Sequence, residues 1–565
     1  MDRIQIGAIS LAVLLILAWL YTMPTSSPPA PTPPAEPPTA ELGELPSHVP
    51  STQSAQPMPL DDTMRQSAPT GPEVAEPTVT EIGNDDLRLR VSSVGGKVVG
   101  ASLPGYPDRI GEGARPVELV TSSERGVLQV RFGSGPLESL ASAPYTIVTQ
   151  DSRSLVMRHE LDGLAVERVL SVGPEGYGAR LSVKLENHSG RSVRPEYQLL
   201  LYGVDLPADS PARFQRHSLA GLEDGDVRRN QLAGIGSPGF WRNLTGKGPW
   251  RGDALASPVD WVGLDSQYFL LAAIAENPDE ARGFFGPVGQ DAGVSVLSYP
   301  AFEVPSGTRI ERVYRLYMGP KISTVLIGTD PSLDASIQAG WSAFRPLVDL
   351  FAWLLRWTYE NVVGNYGVAI ILLTIMIRLL TYPLTQKSMK SMKKFQVISP
   401  QMKEVQEKYK GDRERTQQEI MALYKRTGIN PMTALGGGCI PMLLQFPFLI
   451  ALYFALQASI DLRHAPFAFW ITDLSAPEDL FSIAGLPVRP LPLLMGVTMV
   501  LQQRLMPSAG ADAQQRQMMT MMSVAFIFLF YQFPSGLVLY WFVSNLLGIL
   551  QQVWVNRAPV EKPGD

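Results

Sequence analysis

Val362-Val-Gly-Asn-Tyr-Gly-Val-Ala-Ile-Ile-Leu-Leu-Thr374-Ile-Met-Ile-Arg378-Leu-Leu-Thr381-Tyr-Pro-Leu384 is a 23-residue run with a single charge. About 17–25 apolar residues are enough for a helix to cross ~30 Å of hydrocarbon, so the run reads as a membrane span with an arginine inside it. Arg378 lies 18 positions after Glu360 and 9 before Lys387. That leaves ~13 Å of helix between it and the basic segment that follows. A charge at such depth costs roughly a few kcal/mol unless water or a partner reaches it. Snorkelling of the long stem toward the interface is the bland account. Against it, Thr374, Arg378, Thr381 and Thr385 fall on one helical face and form a continuous polar stripe.

Working outward, four more apolar stretches follow at 435–458, 490–506, 518–533 and 537–556, and one precedes at 1–23, which makes six spans. Pro534-Ser535-Gly536 reads as a tight re-entry turn between the last two. The later spans add polar groups of their own: Gln445, Gln457, Gln502, Gln503, Gln532, Ser544, Asn545 and Gln551. Converging stripes would enclose a hydrated cavity around Arg378, although single Gln and Ser residues equally serve interhelical hydrogen bonds. Spans two to six contain no Asp, Glu or His, so Arg378 has no counter-ion there and a proton-coupled pump lacks its titratable groups. There is no HExxH and no GxxxxGK[ST], and Ser535 lacks the setting of a serine nucleophile. The expectation is a non-enzyme with no cofactor, no metal and a passive amphiphilic groove.

Charge gives the sidedness. The 565 residues carry a net charge of -5. Residues 24–335 hold 27 Lys+Arg against 38 Asp+Glu, while 385–432 hold 11 against 5. Short cytoplasmic loops keep the basic excess, which places 385–434, the 507–517 loop, the 557–565 tail and both termini in the cytoplasm. Residues 24–361 and the 459–489 loop then lie outside. The only cysteine, Cys439, excludes a disulfide scaffold, a cysteine zinc site and a lipoprotein signal near the amino terminus. Bulky residues follow the first apolar run where a peptidase needs small ones, so 1–23 reads as an uncleaved anchor rather than a cleaved signal.

The external part begins with a proline-rich tether, 24–80, that cannot bury a core. From 81 to 337 the pattern is period two. Leu87, Leu89 and Val91 alternate with arginines, and Ala179, Leu181, Val183 and Leu185 with polar residues. Similar runs occur at 127–132, 166–172, 196–202 and 310–317, which together indicate a large antiparallel β-sandwich. His159, His188 and His217 are scattered along it and form no catalytic constellation. Residues 338–361 carry Phe344, Leu347, Leu350, Phe351, Leu354 and Trp357 at helical spacing among four charges, as an interfacial amphipathic helix does.

The basic segment 385–434 reads as two helices, 387–409 and 413–427, joined at Gly411-Asp412 into a hairpin at the membrane surface. Lys387, Lys390, Lys393, Lys394, Arg413 and Arg415 either enforce topology and meet anionic lipid or dock an acidic or RNA-rich partner. Methionines crowd in or beside the spans, where flexible thioethers suit variable apolar sequences as well as ordinary packing.

Ordered matches then run through the whole C-terminal third: Thr374 to Arg378, Tyr382-Pro-Leu-Thr385, Asn430-Pro431, Gly437-Gly-Cys439 to Pro441, Gln445, Pro447, Ala465-Pro-Phe-Ala-Phe-Trp470, Asp473-Leu-Ser475, Phe533 to Trp541 and Ser544-Asn545. In these the chain resembles the YidC family of membrane protein insertases, in its Gram-negative form with a large periplasmic domain. The resemblance implies a multi-pass protein of the Gram-negative inner membrane that moves short hydrophilic segments and transmembrane helices of nascent proteins into the bilayer, without nucleotide. It implies a substrate groove of Arg378, Thr374, Thr381, Gln445, Tyr540, Trp541 and Ser544, open to cytoplasm and lipid. It also implies partners: nascent inner-membrane proteins, the ribosome or signal recognition particle and its receptor at the hairpin, the Sec translocon and lipid, but no specific nucleic acid sequence. Met432 to Leu435 are extra to the usual pattern, Trp541 stands where the pattern has tyrosine, and the tail is short and nearly neutral. A small-anion transporter using Arg378 is the alternative reading, and sugar binding by the sandwich a third.

Overall fold

The computed structural model describes residues 77–120, 122–133, 136–204, 217–232, 250–338, 340, 342–426, 440–483, 486–505 and 513–557. The expected anchor 1–23, nearly all of the tether 24–80, residues 427–439 with the extra Met432 to Leu435, and the tail from 558 lie outside them. The chain divides into two compact units, Met1–Ser336 and Ile337–Asp565.

The first unit holds two nine-stranded antiparallel sheets. One runs through Val79–Gly83, Arg88–Ser92, Val98–Pro107, Val127–Arg131, Tyr197–Val204, Ala292–Tyr299, Arg282–Val288 and Asp253–Ala254, with Pro116–Glu118 paired to Val98–Pro107. The other runs through Asp226–Gln231, Ser218–Glu223, Val259–Asp265, Phe269–Ile274, Arg309–Pro320, Gly178–Asn187, Leu164–Val172, Ser154–Leu161 and Thr146–Gln150. Each expected alternating run falls on a strand, because side chains two apart share a face and the buried face selects the apolar set. Leu89, Val91, Leu181, Val183 and Leu185 are all essentially inaccessible. The first strand starts at Val79, inside the stretch expected to be tether, since Thr80 and Ile82 already supply a buried face.

An ionic knot closes one end of the second sheet. Asp265 accepts from Lys321 Nζ (2.8 Å) and Arg229 Nε (2.8 Å). Lys321 also donates to the Ser266 carbonyl (2.9 Å), and Arg229 to that of Ser336 (2.7 Å), the last residue of the unit. Asp265 and Lys321 are buried. Burial pushes the Asp265 carboxyl up, but the Lys321 ammonium and Arg229 guanidinium outweigh it and hold the group below the usual carboxylate range. The short helix α1 (Ser323–Thr329) lies between two of these contacts in the chain.

The second unit is helical: α2 (Arg345–Thr358), α3 (Tyr366–Lys408), α4 (Arg413–Arg426), α5 (Ile440–Ala458), α6 (Pro490–Leu505), α7 (Ala513–Phe530) and α8 (Ser535–Arg557). α2 is the expected amphipathic helix. Val348, Phe351 and Leu355 are buried, while Leu350, Trp353 and Trp357 are exposed. A π-turn, Tyr359–Val363, follows, and Gly364 in the left-handed region ends it. The Asn365 side chain then caps α3 by accepting from Val368 N (3.1 Å).

Two expectations are corrected here. The separate hairpin helix expected from residue 387 is instead the continuation of α3, which runs 43 residues, about 65 Å, through Pro383 and Pro400. A basic segment changes the environment a helix sits in, not its backbone, so charge alone did not mark a break. Residues 535 and 536 are the first of α8 rather than a turn, and α7, at 513–530, overlaps the expected span 518–533. Among the described residues two helical stretches are long and apolar enough to cross a membrane, Tyr366–Gln386 and Ser535–Arg557. α5, α6 and α7 have 19, 16 and 18 residues.

The Asp265 knot yields a signed prediction. A carboxyl with a lowered folded pKa contributes stability above its unfolded value, about pH 4, and loses it as pH falls through the folded value. Unfolding free energy of the full chain is expected to decline on acidification from about pH 4 downward. Asp265→Asn, which leaves Lys321 and Arg229 without their shared carboxylate, is expected to cost about 3–5 kcal/mol at neutral pH and to flatten that acid limb. Denaturant titrations followed by circular dichroism across the acid range measure both.

Candidate functional site

The site forms where α3, α5 and α8 approach one another. Thr374, Ile377, Arg378, Thr381 and Thr385 from α3, Gln445 and Phe448 from α5, and Tyr540 and Ser544 from α8 line a narrow recess that opens to the surroundings. Positions 374, 378, 381 and 385 share a face because they are spaced by three and four residues. The same rule puts Gln445 with Phe448, and Tyr540 with Ser544.

Arg378 lies 12 residues into α3, ~18 Å from its start. Its Nε donates to Ser544 Oγ (3.0 Å), and one terminal nitrogen donates to both Ser544 Oγ (2.8 Å) and the Ser544 carbonyl (2.6 Å). Gln445 Nε2 donates to the same hydroxyl (3.0 Å), so a single serine joins three helices. Among the described residues, every hydrogen bond recorded for Arg378 ends on a neutral oxygen. Charge-assisted bonds to neutral acceptors hold the guanidinium without neutralising it.

The threonines of the stripe donate back along the helix. Thr374 Oγ donates to the Ile370 carbonyl (2.6 Å), Thr381 Oγ to Ile377 (2.9 Å) and Thr385 Oγ to Thr381 (3.0 Å). With their protons used this way, the hydroxyl oxygens have lone pairs left for other donors. Gln551 Nε2 uses that of Thr385 (3.0 Å) and ties the lower part of α8 to α3. Gly548, one turn after Ser544, permits the close packing. A Cβ there would stand 2.7 Å from Gln502 Nε2 and 3.4 Å from an Arg378 terminal nitrogen.

Six of the seven expected groove residues therefore come together: Arg378, Thr374, Thr381, Gln445, Tyr540 and Ser544. Trp541 does not. Its ring packs on Phe530 (4.6 Å, 63°) and Phe526 (5.9 Å, 43°) of α7. One residue along a helix turns the side chain by about 100°, so a neighbour of Tyr540 faces elsewhere. Ile377 and Phe448 were not expected. Phe448 was findable as the residue three after Gln445, on the same face. Of the expected hairpin residues, Arg415 is exposed on α4, with its guanidinium over Tyr409 (5.5 Å). The side chains of Lys387, Lys390, Lys393, Lys394 and Arg413 lie outside the described residues. In the sandwich, His159 Nδ1 bonds the Pro144 carbonyl (2.9 Å) and His188 lies 3.8 Å from Glu186. No group of histidine, cysteine or carboxylate able to hold a metal ion occurs among the described residues.

Comparison with known proteins covers both units. Residues 357–562 match the family described as 60Kd inner membrane protein, and residues 79–354 match the YidC periplasmic domain. Among curated proteins, a membrane protein insertase YidC of Syntrophobacter fumaroxidans is 36% identical over 496 residues, covering 83% of this chain and 84% of that one. The one from Pelobacter propionicus is 34% identical over 504 residues (87% and 89%), and that from Syntrophus aciditrophicus 30% over 576 (99% and 100%). Among solved structures, an active YidC insertase with its first transmembrane domain resolved is similar at 19% identity and a TM-score of 0.34, covering 86% of this chain and 94% of that one. An Escherichia coli K12 structure described as a putative aldose 1-epimerase matches 43% of this chain at 10% identity and a TM-score of 0.28.

Ser544→Ala removes the hydroxyl that Arg378 and Gln445 share. It is expected to destabilise the protein by about 1–3 kcal/mol, because a buried charged donor and an amide lose their acceptor together. Ser544→Thr keeps the oxygen and is expected to restore most of the loss. Thermal unfolding of the detergent-solubilised chain, followed by intrinsic fluorescence, distinguishes the two.

Proposed function

This chain belongs to the YidC family of membrane protein insertases, and from that membership we propose that its insertion of proteins into the inner membrane works through the recess around Arg378. The activity itself is membrane protein insertion, and the substrates are membrane proteins. The β-sandwich is the periplasmic domain.

The observation that carries the mechanism is a guanidinium, deep in a helix apolar enough to span the membrane, bonded to neutral oxygens. A hydrophilic segment entering the recess offers better acceptors. A carboxylate replaces the Ser544 hydroxyl and carbonyl with a two-pronged partner of opposite charge, which adds fork geometry and neutralises the guanidinium. The exchange is reversible because the original acceptors remain in place. Thr374, Thr381, Gln445, Tyr540 and Ser544 form the remaining polar wall. The adjoining hydrophobic segment of the substrate partitions into lipid along α5 and α7, the third and fifth of six spans. Hydrophobic transfer, about 0.8 kcal/mol per buried methylene, drives the step without nucleotide.

The wider scheme follows the same reading. The spans are 1–23, 362–384, 435–458, 490–506, 518–533 and 537–556, with both termini in the cytoplasm and 459–489 outside. The segment 385–434 is the cytoplasmic hairpin, where Lys387, Lys390, Lys393, Lys394, Arg413 and Arg415 receive the ribosome or signal recognition particle and its receptor. The Sec translocon is a second partner, used by part of the substrate set.

Liposomes containing only this chain provide the test. A small membrane protein with an acidic external segment is expected to insert several-fold less well with Arg378→Ala, while a variant of that substrate with a neutral segment is affected much less. Arg378→Lys, which keeps the charge but loses the fork, should fall between. Equal loss for both substrates would place Arg378 in folding rather than transfer. A photo-crosslinker at Thr374 is expected to capture the substrate in transit; capture of lipid alone would remove the recess from the path.

A further inference from the structure

The loop 459–489 ties several of its charged groups inward and leaves Asp479 exposed. Asp461 pairs with Arg356 of α2 (2.5 Å), and Asp473 accepts from Ser475 N and Oγ (2.8 and 2.7 Å). Glu478, buried, accepts from Trp470 Nε1 (2.5 Å) and from Leu491 N at the start of α6. Arg489 donates to the carbonyls of Glu478 (3.0 Å) and Tyr531, its guanidinium 5.0 Å from the Tyr531 ring. Ile460, Leu462, Ile471 and Leu474 are buried, whereas four other large apolar side chains point out: Phe469 is 95% exposed, Ile483 61%, Phe481 52% and Leu480 44%. Phe481 and Ile483 share one face of a two-stranded ribbon, Phe481–Ile483 with Leu486–Val488. Phe469 adopts a φ of 57°, a left-handed conformation that bulky residues avoid.

The position of the loop says what that surface meets. Its carbonyls satisfy the first turn of α8: Ser535 N donates to Ala476 (2.8 Å), Ser535 Oγ to Asp473 (2.6 Å) and Gly536 N to Leu474 (2.9 Å). Asn365, whose Oδ1 caps α3, donates from Nδ2 to the Phe467 carbonyl (3.1 Å). Gly367 lies so close beneath that a Cβ would stand 2.0 Å from the Phe467 ring. Both helices that qualify as spans therefore begin directly under this loop, at the edge of the hydrocarbon. The ribbon runs straight into α6, whose Leu493, Leu494, Val497 and Leu501 are likewise exposed.

From these exposed apolar side chains, held at the ends of two spans, we propose that the loop is a lipid-inserted wedge: Phe469, Leu480, Phe481 and Ile483 seat in the boundary between headgroups and acyl chains of the bilayer leaflet on that side. Apolar side chains over a polar, internally bonded base are what such an interface selects. The proposal rests on the membrane-spanning helices and not on any role of Arg378, so it stands or falls apart from the transfer mechanism.

The test uses the full chain with Cys439→Ser, reconstituted in phosphatidylcholine and phosphatidylglycerol liposomes. An environment-sensitive fluorophore is placed on Phe469→Cys or Phe481→Cys, and on Glu175→Cys, exposed in the sandwich, as the reference in water. Quenching is read with lipids spin-labelled high on the acyl chain and with iodide. The loop positions are expected to emit further to the blue than Glu175→Cys, to lose fluorescence to the spin-labelled lipid and to resist iodide. Quenching by iodide with no loss to the lipid would overturn the proposal. Protection from both quenchers would also overturn it and assign the patch to a protein, a second copy of the chain included.

Discussion

A guanidinium ~18 Å down an apolar helix must be solvated by the protein, because nothing else at that depth is polar. The helical unit answers with one serine. Ser544 offers Arg378 both its hydroxyl and its carbonyl, and Gln445 shares the hydroxyl. The rest of the arrangement follows from bringing α8 that near to α3. Gly548 leaves room for the ends of the Gln502 and Arg378 side chains, which a Cβ there would approach to 2.7 and 3.4 Å. Around this polar centre Leu373, Ile377, Ala451, Leu452, Leu539 and Tyr540 belong to one buried apolar cluster, which raises the worth of each bond to the arginine.

Much of the framework was legible because burial writes a period into the sequence. In the sandwich the period is two, and the alternating runs mark the strands to within a residue or two. In the site it is three and four, and Thr374, Arg378, Thr381 and Thr385 could be aligned without coordinates. Trp541 was aligned with Ser544, three residues on, but its ring turns to Phe530 and Phe526 of α7, about 100° round the helix from Tyr540. The continuity of α3 past Leu384 was not legible, since hydropathy reports the medium around a helix and not where its backbone ends.

Other features had no local signature at all. Asp265 and Lys321 are 56 residues apart and meet only because strand order brings them together. The loop 459–489 was legible as a connection but not as a built structure, because its stabilising bonds run largely through backbone carbonyls that every residue type possesses. The two units thus differ in what holds them. The sandwich closes on a buried carboxylate held by two cations, whereas the helices close on a guanidinium that, among the described residues, bonds neutral oxygens.

The back-bonded threonines set the chemical character of the recess. Their protons are spent on the helix that carries them, so along the α3 stripe hydroxyl lone pairs stand beside the N–H groups of Arg378, and Gln445 adds an amide from α5. Donors and acceptors are thereby interleaved on one helical face. An unfolded backbone carries both kinds in fixed alternation and can meet them in turn. On the proposed path the recess then stands in for part of a hydration shell.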